Sequence, residues 1–173
     1  MNRPVVAYTS RYGSTRRYAT ALGRRLGTPA VELADLAPAS DADPLILLAP
    51  VYATRILGRR RIIRAIRSAP GRVALVVVAI SPADDPGRGS LSARLITATG
   101  RAVTTFHVRG DLDPARLNWV DRTLMAALRR QLRRTPETPA ARMLLPGEPL
   151  HLVDETALDP VVAWALEGTS VES

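Results

Sequence analysis

The sequence predicts an α/β fold: a doubly wound, five-stranded parallel sheet with helices on both faces and a helical insertion after the fifth strand. Three observations carry this. Short apolar runs of strand length alternate with helix-period segments along most of the chain. Two of those runs, 44–49 (PLILLA) and 73–80 (VALVVVAI), are apolar throughout, as strands covered on both faces must be. The intervening helices are long enough for right-handed crossovers between parallel strands.

In order, residues 5–8 form a buried first strand. A helix follows over 14–26, with Ala19, Leu22 and Leu26 on one face, and Gly27-Thr28-Pro29 ends it. Residues 30–33 make a short second strand and 44–49 the third. A second helix covers 57–67 and closes on Ser68-Ala69-Pro70-Gly71. The fourth strand, 73–80, is the most apolar and belongs at the centre; a third helix spans 90–99, and the fifth strand is 102–108, followed by Gly110. The segment 111–154 breaks the alternation with a long helix over about 115–134 and a Pro-rich stretch, while 151–153 reads as a short strand or extended tie. Residues 160–166 form the closing helix, with Asp159 expected as N-cap and Pro160 at its first position. The tail from Gly168 is expected to fray. All 173 residues fit a single domain.

Composition narrows the chemistry. Hydrophobic residues make up 46%, and no apolar run approaches the roughly 20 residues needed to span a bilayer. The opening residues Met1-Asn2-Arg3-Pro4 lack the apolar core of a signal peptide, so the expected compartment is the cytoplasm. Without cysteine there is no disulfide, thiolate nucleophile or zinc-thiolate site. The net charge is +8, and all 24 basic residues are arginine. This field favours anionic partners. Nucleic acid is not expected, because aromatics are few and no recognition motif is present. His107 and His151 lack ligand spacing, so no metal is expected. Ser10 and Ser14 have no histidine at nucleophile-activating spacing. Asp41 and Asp43 read as a turn before the third strand.

The first strand runs into Tyr8-Thr9-Ser10-Arg11-Tyr12-Gly13-Ser14-Thr15, and a helix begins at once. Unpaired N–H groups and the positive end of the helix dipole make such a start a phosphate site. Thr9, Ser10, Ser14 and Thr15 add hydroxyls, and Gly13 allows close approach. The run has neither the Lys-Ser/Thr ending of a nucleotide P-loop nor a Gly-x-Gly-x-x-Gly dinucleotide fingerprint. Hydroxyls with one phosphate-sized loop and no metal point to FMN.

YTSRYGST resembles the phosphate loop of flavodoxins, and the resemblance implies that Thr9, Ser10, Arg11, Tyr12, Gly13, Ser14 and Thr15 wrap the FMN phosphate. It also implies that the turn after the third strand, Pro50, Val51, Tyr52, Ala53 and Thr54, borders the isoalloxazine, with Tyr52 as a stacking residue or else a surface tyrosine. The third flavin loop would be Ser81 and Pro82, with Ala83, Asp84 and Asp85 beyond. Flavodoxins often carry an aromatic there, and this chain has none. The two aspartates are expected to face solvent. A flavodoxin fold that has lost its cofactor and serves as a binding or scaffold module is therefore the alternative to an FMN oxidoreductase or electron-transfer protein.

Electron-carrier flavodoxins are usually acidic, whereas this chain is basic. It is more similar to the flavodoxin-domain branch that includes the menaquinone-dependent protoporphyrinogen oxidases. The matching runs are SRYGST, Pro50-Val51-Tyr52 and GDLDPARLNWVDRTLMAAL, where Gly110-Asp111-Leu112 leads to Trp119, Asp121 and Arg122. That resemblance implies a redox partner or a quinone acceptor. In the insertion helix, Leu117, Val120, Leu124, Met125, Leu128 and Leu132 fall on one face, and Arg122, Arg129, Arg130 and Arg133 on the other. Such a helix either packs in a core or lies on an anionic membrane, which would place the protein peripherally on the inner membrane face. Arg59, Arg60, Arg61, Arg64 and Arg67 on the second helix strengthen the positive field.

Overall fold

The structure is a computed structural model that describes residues 3–37, 42–52, 55–82 and 84–167. Five strands, β1 (Arg3–Tyr8), β2 (Ala30–Glu32), β3 (Ala42–Tyr52), β5 (Val73–Ala79) and β6 (Thr104–Arg109), form a parallel sheet in the order β2-β1-β3-β5-β6. β4 (Arg55–Ile56) folds back antiparallel on the end of β3, pairing Val51 with Ile56 and Tyr52 with Arg55. That hairpin has no counterpart in the sequence reading, because two residues carry no periodicity.

Alternation along the strands builds two cores. Val6, Ile46, Leu48, Val76 and Val108 face α1 (Ser14–Leu26) and α6 (Asp159–Leu166), which contribute Tyr18, Leu22 and Val161. Ala7, Leu45, Leu47, Leu75 and Val77 face α2 (Arg59–Ser68) and α3 (Pro86–Thr99), which contribute Ile62, Ile66 and Leu95. The doubly wound architecture is as the sequence predicts.

Several boundaries move for physical reasons. α2 begins at Arg59, because Gly58 adopts φ 76, a left-handed conformation outside the helix. α3 begins four residues early, because Asp85 caps it by accepting from Gly87 N at 2.8 Å. Asp85 is thus a structural cap, and Asp84 is the exposed member of the pair. Asp159 does not cap the closing helix. A 3₁₀ turn, Glu155–Leu158, runs directly into α6, Leu158 holds the N-cap position, and Asp159 instead pairs with Arg25 at 2.7 Å. Asp43 lies in β3, not in a turn, and accepts from Arg72 N at 3.0 Å; Asp41 lies outside the described residues. The tail from Gly168 is likewise outside them.

The chain groups into two compact units, Met1–Gly110 with Val153–Ser173, and Asp111–Leu152. In the second unit the long helix expected over 115–134 is divided. A 3₁₀ turn, Pro114–Arg116, comes first, and α4 (Trp119–Leu132) starts afresh with Asn118 accepting from Asp121 N. The break follows from Asn118, whose side chain competes for backbone N–H groups as helix interiors do not allow. The Pro-rich stretch contains a further short helix, α5 (Pro139–Leu144), capped by Thr138. Leu150, just before the expected tie at 151–153, bridges antiparallel to Leu112. The face division of α4 also differs from expectation. Arg129 donates to Leu144 O at 2.9 Å and Asp121 is buried, whereas Val120, Leu124 and Leu128 form an exposed stripe and Trp119 is 79% exposed.

Candidate functional site

β1, β3 and β5 end at the same edge of the sheet, and the loops that follow them collect there, where open α/β sheets bind ligands. The first loop is built by its own short-range contacts. Thr9 N donates to Leu48 O at 3.0 Å, extending β1 along β3 by one residue. Ser10 Oγ then accepts from Gly13 N at 3.2 Å, which closes a tight turn. Gly13 takes φ 100, and α1 begins at Ser14 with no side-chain cap and no acid in its first turn. The helix start is therefore electropositive and uncapped by carboxylate, a donor set that suits a phosphate. Thr15 is buried beneath the first turn, while Ser10, Tyr12 and Ser14 are half-buried and Arg11 is exposed.

A second helix start converges on this loop. Gly58, the left-handed residue before α2, lies so close to Thr9 that an added Cβ would stand 3.3 Å from Thr9 Cγ2. α2 also has no side-chain cap and no acid in its first turn, which holds Arg59, Arg60 and Arg61. The sequence signal was present, a glycine directly before an amphipathic helix, but nothing local tied it to Thr9.

In the second loop the structure describes Pro50, Val51 and Tyr52; Ala53 and Thr54 lie outside the described residues. The Arg11 guanidinium lies 4.4 Å from the Tyr52 ring centroid and 5.8 Å from that of Tyr12. One face of Tyr52 is thus covered by a cation, and its hydroxyl is buried without a hydrogen-bond partner among the described residues. In the third loop Ser81 is half-buried and Pro82 exposed.

Beneath the third loop the sheet edge is held by two arginines that sequence reading did not single out. Arg88, on the first turn of α3, is 2% exposed and donates from Nη2 to Val77 O at 3.2 Å, to Ala79 O, and to Val108 O. Its Nε and Nη1 have no hydrogen-bond partner among the described residues. Arg109 donates to Ile80 O at 3.0 and 3.2 Å. Burial lowers the Arg88 pKa, the nearby Asp85 charge opposes that shift, and Arg109 adds to it. His107, on β6, is held below the ordinary histidine value by burial and then by the Arg88 charge, and its Nδ1 is buried without a partner. Only the packing of α3 against β5 and β6 makes Arg88 visible; in sequence it reads as one more exposed arginine.

Gly110 completes the edge. A Cβ there would lie 2.9 Å from Val78 Cγ1 and 3.3 Å from Ser14 Cβ, so glycine is required for β6 to end against the start of α1. Among the described residues no group of three or more histidines, aspartates and glutamates stands where it could hold a metal ion, and no helix is long and apolar enough to cross a membrane.

The donor set fits the phosphate half of a flavin mononucleotide: an uncapped α1 start, the Ser10–Gly13 turn and no neighbouring acid in that first turn. For the ring half, the structure offers Pro50, Val51, the Arg11-covered Tyr52, Ser81 and Pro82.

No curated protein matches the chain. Among solved structures it is similar to a flavodoxin from the domain Archaea, at 16% identity, covering 70% of this chain and 90% of that one with a TM-score of 0.46. It is also similar to rubredoxin oxygen:oxidoreductase from the anaerobe Desulfovibrio gigas, at 18% identity and TM-score 0.43, covering 83% of this chain and 36% of that one. The family model of the flavodoxin domain matches residues 5–138, from the first strand through the loops just described and α4, and the chain belongs to that family.

Proposed function

We propose that the chain binds FMN and works as an electron-transfer protein or oxidoreductase. The observation that carries this is the start of α1: a left-handed glycine, no side-chain cap and no acid, at the carboxyl edge of a parallel sheet. Ser10, Gly13, Ser14 and the first amides of α1 would hold the phosphate, and Pro50, Val51, Tyr52, Ser81 and Pro82 would border the ring. Bound there, the flavin supplies the redox chemistry. The protein positions it, shields it and sets the charge around it. Arg88 and Arg109 place two guanidinium groups under the third loop, so the sheet edge is electropositive where a reduced, anionic flavin needs compensation.

Protoporphyrinogen oxidation with a quinone acceptor is the narrower version of this proposal. It rests on the resemblance of SRYGST, Pro50-Val51-Tyr52 and the Gly110–Arg122 region, which the family match does not resolve further. A cofactor-free binding module is the competing reading. It is favoured by the third loop, which has no aromatic among Ser81, Pro82, Asp84 and Asp85, and by the Arg11 cover on Tyr52.

Calorimetric titration of the flavin-free chain with FMN, followed in parallel by flavin fluorescence, separates the two. The proposal expects saturable heat and quenching with FMN, weaker binding of FAD, and loss of FMN binding in Gly13→Val, whose side chain opposes the left-handed turn. Absence of heat and quenching at high FMN would retire it in favour of the cofactor-free reading.

A further inference from the structure

The outward face of α2 is made almost entirely of arginine. Ile62, Ala65 and Ile66 are buried against the sheet, while Arg59, Arg60, Arg61 and Arg64 are exposed, and Arg55 on β4, which precedes α2 in the chain, is exposed too. Arg67 continues the face but donates to Ala98 O. Among the described residues none of the other five has a carboxylate within ion-pair distance. This is an unfavourable arrangement for a free helix. Arg60 and Arg64 repel at i,i+4, Arg61 and Arg64 at i,i+3, and all of the first-turn charges oppose the helix dipole. Helices usually place acids at that end; this one has none.

The face adjoins the candidate site, since the start of α2 at Gly58 packs on Thr9 of the phosphate loop. We infer that α2 and β4 form a docking surface for an acidic protein that exchanges electrons with the flavin at that rim; this rests on the electron-transfer reading above. Guanidinium groups pair bidentately with carboxylates, and a dense patch of one sign steers an oppositely charged partner into encounter. A lipid surface is the less suitable occupant. The exposed large hydrophobics among the described residues are Trp119, Val120, Leu124, Leu128 and Leu166, and none stands on α2 or β4 to enter a bilayer.

The test measures binding of a fluorescently labelled plant-type ferredoxin, an acidic one-electron carrier, to the full chain incubated with FMN. Wild type is compared with a variant carrying Arg55→Gln, Arg60→Gln, Arg61→Gln and Arg64→Gln. A control variant removes the same charge elsewhere, at Arg94, Arg130, Arg133 and Arg134, each also to Gln; far-UV circular dichroism checks that all three are folded. The inference expects wild type to bind at low ionic strength and to weaken as salt rises. The α2 variant should lose at least about tenfold in affinity, with a flattened salt dependence, while the control variant stays within about twofold of wild type. Equal losses in the two variants would assign the effect to net charge and overturn the docking surface, as would failure of wild type to bind at low salt. Vesicles of phosphatidylglycerol and phosphatidylcholine, and a short DNA duplex, serve as competing probes. Tighter binding of either one than of ferredoxin, abolished in the α2 variant, would overturn the protein partner in favour of that polyanion. Ferredoxin binding through α2 by a chain that takes up no FMN would sink the electron-transfer reading while the docking surface stands.

Discussion

Arg88 is fully buried, and its guanidinium is satisfied on one nitrogen only, by the carbonyls of Val77, Ala79 and Val108. Its charge is felt by His107, whose protonated form is disfavoured by burial and by that cation. Two outcomes follow at the scale of single residues. In Arg88→Met the His107 pKa should rise toward the ordinary value, because one of the two causes of its depression is gone; titration of the imidazole resonances by NMR reads this directly, and an unchanged midpoint would show that the charge is not felt. The second concerns stability. An unfolded histidine takes up its proton near 6.5, whereas folded His107 does so only at lower pH. Between those two values the unfolded state binds more protons, so stability falls as the solution is acidified through that window. Urea midpoints measured from neutral pH downward should show the decline, and His107→Gln should lessen it.

Among the elements, α1 and α2 share one design: a left-handed glycine, no side-chain cap and an acid-free first turn. In α1 this suits a ligand phosphate, but in α2 it leaves Arg59, Arg60 and Arg61 against the dipole. Arg59→Glu reverses one such charge at an exposed position and should stabilise the fold by about 0.3–1 kcal/mol at low ionic strength. The gain should shrink as salt screens it over about 8 Å at physiological ionic strength. Thermal unfolding at two salt concentrations checks both parts, and destabilisation at low salt would mean that Arg59 has a partner other than solvent. α4 shows the opposite relation between pattern and packing. Its leucines are spaced like a core stripe, yet Leu124 and Leu128 are exposed, while Arg129 serves α5 through Leu144 O.

At the scale of the molecule, one side chain of the first unit joins two segments that are far apart in the chain. Tyr18, buried on α1, donates to Arg109 O at 2.7 Å and accepts from Asp154 N at 2.9 Å. Residues 109 and 154 are thus tied together inside the first unit. Tyr18→Phe leaves both backbone groups without that partner and should cost about 1–3 kcal/mol in urea unfolding. Replacing 111–152 by a short Gly-Ser linker should leave a folded domain, since both hydrophobic cores lie in the first unit. All three loops of the candidate site are retained as well, so FMN affinity should match that of the full chain. Loss of folding on that deletion would show that the second unit completes the core.

The strands and the α1 boundaries were legible in the sequence because burial on both faces leaves a local record. A run such as VALVVVAI can only be a central strand in a chain of this length, and Gly13 and Gly27 bracket α1 where the backbone must turn left-handed. The Thr9–Thr15 loop was legible for the same reason, since a hydroxyl-rich turn between a strand and a helix is a contiguous pattern. What only the tertiary structure decided is which charges and apolar groups end up inside. Twenty-four arginines look alike in sequence, yet packing buries Arg88 on strand carbonyls, sets Arg11 over Tyr52 and, among the described residues, leaves the α2 face without a paired carboxylate. The leucine stripe of α4 is exposed although its spacing would serve a core equally well. Periodicity states that a residue lies on a given face of its own element; what that face meets depends on elements far away in the chain, and no local signal encodes it.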